Sequence, residues 1–290
     1  MSASDSPTSV GAALAQARAA GVEPLDAQLL LGRILEQPRT WILAHAEARL
    51  DPQQARRYSA GLARRGAGEP LAYLLGSKEF HGLTLQVDAR VLVPRPDTEV
   101  LVHWALEILR RGTGTGHASA PAVVDLGTGS GAIALTVKHA HPAAQVVATD
   151  LSAQALEVAA GNAQRLQLAV QFHAGAWWQA VAGSRFDLAL SNPPYIALSD
   201  PHLAALAHEP LGALSPGEDG LAALRELVAG ADRHLRPGAW LLLEHGYDQA
   251  DAVRELFARY GYGGVTTRHD LAGRPRCTGA QTTPESRGQR

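Results

Sequence analysis

A short polar and aromatic string at the end of an apolar run carries the most distinctive chemistry of this sequence. The apolar run Phe186–Leu190 predicts a strand that is buried on both faces. It leads into Asn192-Pro193-Pro194-Tyr195, where the two prolines end the strand because they donate no N–H and fix φ. The side-chain oxygen of Asn192 and the carbonyl of Pro193 can accept both hydrogens of a planar NH2 group, on which Tyr195 can stack. The string therefore predicts a site for an amide or an aromatic amine. The alternative is a proline-rich strand exit with a packed tyrosine.

A glycine-rich turn earlier in the chain predicts a nucleotide-binding loop. The apolar run Ala122–Leu126 predicts a strand, and Ala132–Thr136 predicts the start of a helix. Between them lies Gly127-Thr128-Gly129-Ser130-Gly131. A strand, a glycine loop and a helix in this order form the nucleotide-binding turn of a doubly wound sheet, where glycine lets the backbone approach a ligand closely. The G-x-G-x-G spacing differs from the dinucleotide fingerprint and lacks the Lys-Ser/Thr of a phosphate loop, so the loop alone is a weak signal.

Two further residues strengthen the prediction of a nucleotide site. The predicted strand Gln145–Asp150 ends in an acid about 20 residues beyond the loop, where a carboxylate can accept hydrogen bonds from ribose hydroxyls. The alternative for Asp150 is an N-cap of the next predicted helix, Ala153–Leu166. Trp177 follows a third predicted strand, Val170–Ala174, and either packs against an adenine or plugs the edge of the sheet.

The N-terminal part of the chain predicts a small helical region over residues 8–75. An apolar stripe at helical spacing is formed by Leu25, Leu29, Leu30 and Ile34. Asp51 and Pro52 are typical of an N-cap followed by proline at the first helical position. The helix after them carries Arg56, Arg57, Arg64 and Arg65. These arginines are interpreted as a solvated face; the alternative is a docking surface for an acidic or RNA-bound partner.

A hairpin is predicted over residues 80–93, where alternation at 83–88 leads through Ala89-Arg90 into Val91–Val93. In the turn at residues 94–99, Asp97 or Thr98 is expected to cap the helix that follows. The alternative function of this turn is to form part of a cofactor pocket wall.

The remaining segments predict the second half of an α/β sheet. Gly112–Gly116 resembles a phosphate loop but precedes a strand, so it is interpreted as a flexible surface connection. The long polar connection at residues 196–218 follows the reactive string and is interpreted as a substrate-side loop. Beyond it the pattern predicts a helix over Leu221–Leu235, a strand over Ala239–Glu244, a helix over Gln249–Tyr260 and strands over 263–269 and 275–281. The polar C-terminal residues are expected to fray.

Composition limits the function classes. The net charge is −2 and the pI about 6.6, which does not suggest broad electrostatic binding to nucleic acid. Cys277 is the single cysteine, so neither an internal disulfide nor a cysteine metal cluster is expected. The 12 histidines show no ligand spacing, and no metal is predicted. With no signal pattern and no apolar run long enough to span a membrane, the cytoplasm is the expected location.

Taken together, these motifs resemble class I S-adenosylmethionine methyltransferases that modify an NH2 nitrogen. Further segments resemble the PrmC/HemK peptide-chain release factor glutamine methyltransferases over roughly residues 10–280, nearly the whole chain. These segments are Arg64-Arg65-Gly66 with Glu69-Pro70, Pro94–Glu99, Glu209-Pro210-Leu211 and Leu242–Gly246. The resemblance implies an α/β fold with a Rossmann-like, seven-stranded doubly wound sheet. It also implies a helical substrate-recognition domain at 1–78, a β-hairpin linker at 79–96 and a methyltransferase domain at 97–290.

The resemblance also implies the reaction and the roles of the site residues. The methyl group of S-adenosylmethionine would go to the side-chain amide nitrogen (N5) of the glutamine in the Gly-Gly-Gln tip of class 1 release factors. The cofactor would be bound by Gly127, Thr128, Gly129, Ser130, Gly131, Asp150, Trp177 and Asn192. The glutamine would be held by Asn192, Pro193, Pro194 and Tyr195, of which Asn192, Pro193 and Tyr195 would be catalytic. Ala176 departs from the acidic residue that the family often has before the tryptophan, where it accepts from the adenine amino group.

Other functions remain open on the residues alone. The Asn-Pro-Pro-Tyr string also fits nucleic-acid amino methyltransferases acting on adenine N6 or guanine N2, although these would need a basic groove. A nucleotide-binding oxidoreductase or a catalytically silent scaffold is a third possibility, but a dehydrogenase would not need this string. No dedicated general base is evident, and neither a membrane nor a nucleic acid is expected as a direct partner.

Overall fold

The structure, a computed structural model, describes residues 8–112 and 120–283. The chain divides into two compact units, with the boundary between Ser77 and Lys78. Most of the predicted surface connection at Gly112–Gly116 and most of the tail that was expected to fray lie outside the described residues. Among the described helices, none has the length and apolar character needed to cross a membrane.

The first unit is helical, as predicted. Its helices are α1 (Val10–Ala19), α2 (Pro24–Leu35), α3 (Arg39–Ala44), α4 (Pro52–Gly66) and α5 (Leu71–Leu75). The predicted start of α4 is confirmed, because Asp51 accepts from the backbone N–H of Gln54 while the Gln54 side chain accepts from the N–H of Asp51. This capping box satisfies two backbone donors that the helix itself leaves without partners.

The buried face of α2 differs from the predicted stripe. The buried residues are Ala27, Leu30, Leu31, Gly32 and Ile34, whereas Leu25 is 50% exposed. Positions 27, 30, 31 and 34 follow the i, i+3, i+4, i+7 spacing of one helical face, and Leu25 falls outside it. The core of this unit is built around Tyr58, Leu31 and Ile42, each 1% exposed or less.

The hairpin exists but uses a different partner strand from the one predicted. Strand β1 (Ser77–Phe80) turns at His81-Gly82 into β2 (Leu83–Gln86). Gly82 has φ of 80°, a left-handed conformation that suits glycine at a tight turn. The prediction that Val91–Val93 form a strand is wrong, because these residues have no ladder partner and instead run along the site described below.

The second unit contains a seven-stranded sheet among its described residues, with strand order β5-β4-β3-β6-β7-β9-β8. The strands are β3 (Ala122–Leu126), β4 (Gln145–Asp150), β5 (Gln171–Ala174), β6 (Phe186–Ser191), β7 (Leu235–Glu244), β8 (Gly263–His269) and β9 (Pro275–Gln281). The first five strands in that order are parallel, and β9 is antiparallel to both of its neighbours. The strand order reverses between β3 and β6, so their carboxyl ends flank the switch point where such sheets bind ligands.

Helices cover both faces of this sheet. They are α6 (Glu99–Arg111), α7 (Ala132–Ala140), α8 (Ala153–Leu166), α9 (Leu211–Leu214), α10 (Ala222–Gly230) and α11 (Ala250–Arg259). Two separate clusters of buried side chains pack on the two faces, and the central strand β6 is buried along its whole length. A strand covered on both faces reads as a continuous apolar run, which is why β6 could be predicted from the sequence.

The predicted helix over Leu221–Leu235 is too long. Helix α10 ends at Gly230, a 3₁₀ turn covers Ala231–Arg233, and β7 already begins at Leu235. Pro237 and Gly238, interpreted as a helix stop, lie inside β7 where its pairing with β6 shifts register. A proline fits a strand at such an irregularity because no ladder hydrogen bond is required of it.

Candidate active site

The glycine loop and the Asn-Pro-Pro-Tyr string lie side by side. Strands β3 and β6 are direct neighbours, and the Ser191 hydroxyl at the end of β6 donates to the Leu126 carbonyl at the end of β3 at 2.6 Å. Gly127 directly follows the last residue of β3, and Asn192 directly follows the last residue of β6. The sheet therefore brings together two motifs that are some 65 residues apart in the sequence.

A cavity of about 310 Å³ opens at this point. Of the predicted site residues, its lining includes Gly127, Gly129, Asp150, Trp177, Asn192 and Pro194. Its volume is within the range of small-molecule sites, and its wall is mostly apolar with a few convergent polar groups. Ala176, at the position where the family often has an acid, also lines the cavity.

Asp150 supplies the cavity with a carboxylate whose position is fixed by the backbone. Its Oδ2 accepts from the N–H of Gly129 at 2.9 Å and its Oδ1 accepts from the N–H of Ser152 at 2.9 Å. Burial raises the pKa of Asp150, although these backbone hydrogen bonds oppose the shift. The alternative of an N-cap role is wrong, because Ser152 caps α8 by accepting from the N–H of Ala155.

Close packing explains the glycine at position 127. Gly127 has φ of 76°, and a Cβ there would lie 3.0 Å from the ring of Trp177. A side chain at this position would therefore be strained and would displace the indole that lines the cavity. Trp177 itself has φ of 43°, an uncommon conformation for a bulky residue.

The other three predicted loop residues do not line the cavity. The Thr128 hydroxyl donates to Oδ2 of Asp125 at 2.6 Å, and the Ser130 carbonyl accepts from the side chain of Asn162 at 3.0 Å. Gly131 is the N-cap of α7, with φ of 85°. These residues set the shape of the loop. Burial raises the pKa of Asp125 to about 7, and its Oδ1 has no hydrogen-bond partner within the described chain.

A second cavity of about 270 Å³ adjoins the first. Pro193 and Tyr195, which do not line the first cavity, line this one together with residues 95–97. The residues that line both cavities are Leu92, Asn192, Pro194 and Ala213. Asn192 and Pro194 therefore border both spaces. Arg95, Pro96 and Asp97, from the turn for which a place in a cofactor pocket wall was the alternative, border the second cavity and not the first.

Hydrogen bonds to neighbouring elements fix the Asn192 and Tyr195 residues of the Asn-Pro-Pro-Tyr string. Nδ2 of Asn192 donates to Oγ1 of Thr98 at 3.1 Å. Thr98 occupies the predicted N-cap position of α6, but its side chain makes no capping hydrogen bond, and Asp97 pairs with Arg276 at 3.0 Å. The Tyr195 hydroxyl donates to Oε1 of Glu244 at 3.2 Å, and the Tyr195 carbonyl accepts from the side chain of Gln249 at 3.0 Å.

The 196–218 connection contributes to both cavities. Its Glu209 side chain, 2% exposed, accepts from the N–H of Val93 at 3.0 Å and forms an ion pair with Arg95. This anchor holds Pro210, Gly212 and Ala213 on the wall of the first cavity. Sequence reasoning missed these wall residues. The only sequence signal for them was the pair Glu209-Pro210, an acid followed by a residue that makes the backbone rigid. In the structure this acid is buried.

Two family models match the sequence. The model described as the PrmC N-terminal domain matches residues 10–76, and the model described as the methyltransferase small domain matches residues 114–209. Together they cover more than half of the chain.

Curated relatives resemble the chain over nearly its whole length. A release factor glutamine methyltransferase of Bordetella pertussis is 49% identical over 262 residues, 89% of this chain and 95% of the relative. One of Xylella fastidiosa is 47% identical over 269 residues, 92% of this chain and 96% of the relative. The chain belongs to the release factor glutamine methyltransferase family. The family predicted from the motifs is thereby confirmed.

A solved structure agrees with this family's fold. A methyltransferase from Pyrococcus furiosus superposes with a TM-score of 0.52 at 18% identity, covering 80% of this chain and 98% of its own. At that identity the likeness concerns the fold alone. With the sheet order described above, it confirms the predicted class I methyltransferase architecture.

Proposed function

We propose that this protein transfers the methyl group of S-adenosylmethionine to the side-chain amide nitrogen (N5) of the Gly-Gly-Gln glutamine in class 1 peptide-chain release factors. One observation carries the proposal: in a member of this family, Asn192 and Pro194 are among the residues that line two adjoining cavities. A methyl donor in one cavity and an acceptor nitrogen in the other would meet beside these residues. Distances suited to methyl transfer require such a meeting point.

The residues of the first cavity fit S-adenosylmethionine, which supplies an electrophilic methyl group when bound. The Asp150 carboxylate is suited to accept hydrogen bonds from ribose hydroxyls, because its two oxygens together have more lone pairs than their backbone partners use. The open space above Gly129 leaves room for the methionine end beside the loop backbone. Trp177 offers a flat apolar surface for the adenine, and Ala176 leaves its amino group to backbone acceptors.

The residues of the second cavity fit a glutamine side chain. The side-chain NH2 of Asn192 donates to Thr98, so the side-chain oxygen of Asn192 is oriented to accept from a ligand. The Pro193 carbonyl would supply a second acceptor, and the ring of Tyr195 would pack on the plane of the amide. Pro194 would hold the wall rigid, since both prolines restrict the backbone of the string.

These acceptors suit the chemistry of a weak nucleophile. A primary amide nitrogen has its lone pair delocalised into its carbonyl, and positive charge would develop on it as it takes the methyl group that the bound cofactor would supply. Oxygen acceptors at Asn192 and Pro193 stabilise that charge and aim the nitrogen at the methyl group. The methylated nitrogen then releases its proton to water.

The helical unit would recognise the release factor. The family model for the N-terminal domain matches residues 10–76, which supports a separate task for residues 1–78. Residues 79–96 would link this domain to the methyltransferase domain at 97–290. In this scheme the release factor is the partner, with neither a membrane nor a nucleic acid as direct substrate.

Incubation with methyl-labelled cofactor tests the proposal. Purified release factor, its variant with the Gly-Gly-Gln glutamine changed to alanine, ribosomes and DNA are offered in parallel. We expect label in the intact release factor alone. Equal labelling of the alanine variant would overturn the choice of glutamine, and label in ribosomal RNA or DNA would favour the amino methyltransferase of nucleic acids.

A further inference from the structure

Three side chains from separate elements form a buried cluster next to Asn192. Thr98 lies just before α6, Tyr195 follows β6, and Glu244 ends β7. Thr98 accepts from Nδ2 of Asn192 at 3.1 Å, and its hydroxyl is hydrogen-bonded to the carboxylate of Glu244. Tyr195 donates to the same carboxylate at 3.2 Å. Thr98 is 4% exposed and Glu244 is fully buried, so water does not compete for these partners.

While Glu244 is ionised, the numbers of donors and acceptors set the direction of every bond in this cluster. A carboxylate can only accept, and a hydroxyl has a single hydrogen to donate. Once Thr98 donates to Glu244, its oxygen can only accept from Asn192. The nitrogen of the Asn192 amide must therefore face Thr98, and the amide oxygen must face elsewhere.

We infer that Thr98 and Glu244 are positioning residues that hold the Asn192 amide with its oxygen available to the substrate NH2 group. The inference rests on the proposed function, because it concerns the acceptor that this reaction needs. With the amide turned over, the NH2 of Asn192 would meet the NH2 of the substrate. Two donors cannot form a hydrogen bond, and the nitrogen would lose its alignment.

The ionised form of Glu244 is the one that fixes the amide. Burial raises the pKa of Glu244 to about 7, while hydrogen bonding with Thr98 and the charge of Arg276 oppose the shift. The titratable or charged groups that face it are Tyr195, Asp97, Arg276 and Cys277. A protonated Glu244 can donate to the Thr98 oxygen. The Thr98 hydroxyl could then donate to Oδ1 of Asn192, and the amide would be turned over. We therefore expect kcat to rise as the pH rises through the raised pKa of Glu244, about 7.

The test compares Thr98→Val with Thr98→Ser in the release factor methylation assay. Valine keeps the shape and removes the hydroxyl, and serine keeps the hydroxyl. We expect Thr98→Val to lower kcat by about ten- to a hundredfold and to lose the pH dependence, because a misaligned nucleophile reacts slowly. Thr98→Ser should restore kcat to within about threefold, and the cofactor Kd of both variants should stay within about twofold of the wild type. Thr282→Val, which removes another buried hydroxyl bonded to the Arg236 carbonyl, is the matched control and should keep the wild-type kcat.

The outcomes separate this inference from the proposed function. A wild-type kcat in Thr98→Val, or a Thr98→Ser variant as slow as Thr98→Val, would overturn the positioning role while the proposed function stands. A cofactor Kd that rises in step with the fall in kcat would also overturn it, since the effect would then be structural. A wild-type protein that does not methylate release factor would instead defeat the proposed function. If Thr98→Val fails to fold, Thr98→Ala takes its place with the same expected results.

Discussion

Asn192 belongs to both cavities and is therefore the residue where a change should separate catalysis from binding. Its side chain lies between Thr98 on one side and the two cavities on the other. A group that interacts mainly with the developing charge contributes to kcat, whereas a group that holds the cofactor contributes to its Kd. Asn192 contacts the space of both ligands, but its oxygen has its main proposed use in the transition state.

Replacing Asn192 tests this assignment. We expect Asn192→Ala to lower the single-turnover rate of methyl transfer by about a hundredfold, the scale of losing one acceptor aimed at developing charge. The cofactor Kd, measured by calorimetry, should change by no more than about threefold. Methyl transfer at the wild-type rate in a folded Asn192→Ala protein would remove the residue from the mechanism.

The raised pKa of Asp150 leads to a prediction of how cofactor binding depends on pH. Burial raises its pKa, so its carboxylate takes up a proton at a higher pH than an exposed aspartate does. The protonated form is a poorer acceptor for ribose hydroxyls, so the cofactor Kd should rise as the pH falls toward this raised pKa. Asp150→Asn should bind about tenfold or more weakly and lose the pH dependence. Calorimetric titrations across the acidic range measure both effects, and Asp251→Asn, at an exposed carboxylate, is the control. A Kd that is independent of pH in the wild type would contradict the ribose role.

At the level of elements, the 196–218 connection depends on one buried carboxylate. Glu209 holds this connection to the segment at 93–95, and the same connection supplies wall residues to both cavities. The segment at 90–97 and the long connection thus form one side of the site, although both lie outside the central sheet.

Removing the Glu209 carboxylate should destabilise the part of the 196–218 connection that lines the two cavities. Glu209→Ala leaves the N–H of Val93 and the Arg95 guanidinium without their shared partner. We expect a loss of about 2 kcal/mol in the free energy of unfolding, the scale of losing hydrogen bonds to a charged group, because the Arg95 side chain that remains is partly exposed. The KM for release factor should rise as well. Glu218→Ala, at an exposed position of the same connection, is the control, and urea denaturation measures the difference. Equal unfolding free energies for the two variants would contradict the anchoring role.

The elements that could be predicted from the sequence are those whose pattern is local. Strands β8 and β9 were predicted at 263–269 and 275–281, and the buried run of β6 was equally clear. The end of α10 was wrong because Pro237-Gly238 is a stop signal that here serves a bulge in β7. The role of Glu209 could not be predicted, because its partners are more than 100 residues away in the sequence.

The same distinction holds for the site. Local motifs were sufficient to predict that Gly127, Asp150 and Asn192 would meet, because the ends of neighbouring parallel strands lie at one edge of the sheet. Thr98 and Glu244 could not be linked to Asn192, since 94 residues separate Thr98 from its partner and nothing local marks their contact. Glu244 lies in one of the segments that carry the family resemblance, but no local pattern indicates its contact with Thr98.

At the level of the whole molecule, helix α4 of the helical unit carries both paired and exposed arginines. Arg64 pairs with Glu69 and Arg65 with Asp26, whereas Arg56 and Arg57 are exposed on α4. Paired charges contribute little to recognition at long range, but exposed arginines can steer an acidic partner.

Charge reversal on α4 tests whether this unit recognises the release factor. We expect Arg56→Glu with Arg57→Glu to raise the KM for release factor roughly tenfold at low salt, with a smaller effect at high salt because exposed charges are screened. The kcat and the cofactor Kd should not change. The matched control is Arg110→Glu with Arg111→Glu, an exposed pair on α6. If both double variants raise the KM equally, the effect comes from net charge and not from α4.

The indole of Trp177 faces the first cavity while its edge rests on Gly127. Tryptophan emission reports the polarity around the ring, and a nucleotide seated against it would quench or shift that emission. The neighbouring Trp178 is buried and stacked on His234, so it should supply a steady background. The protein thus carries its own optical indicator of occupancy, which would allow cofactor uptake and product release to be followed in a stopped-flow instrument without an attached dye.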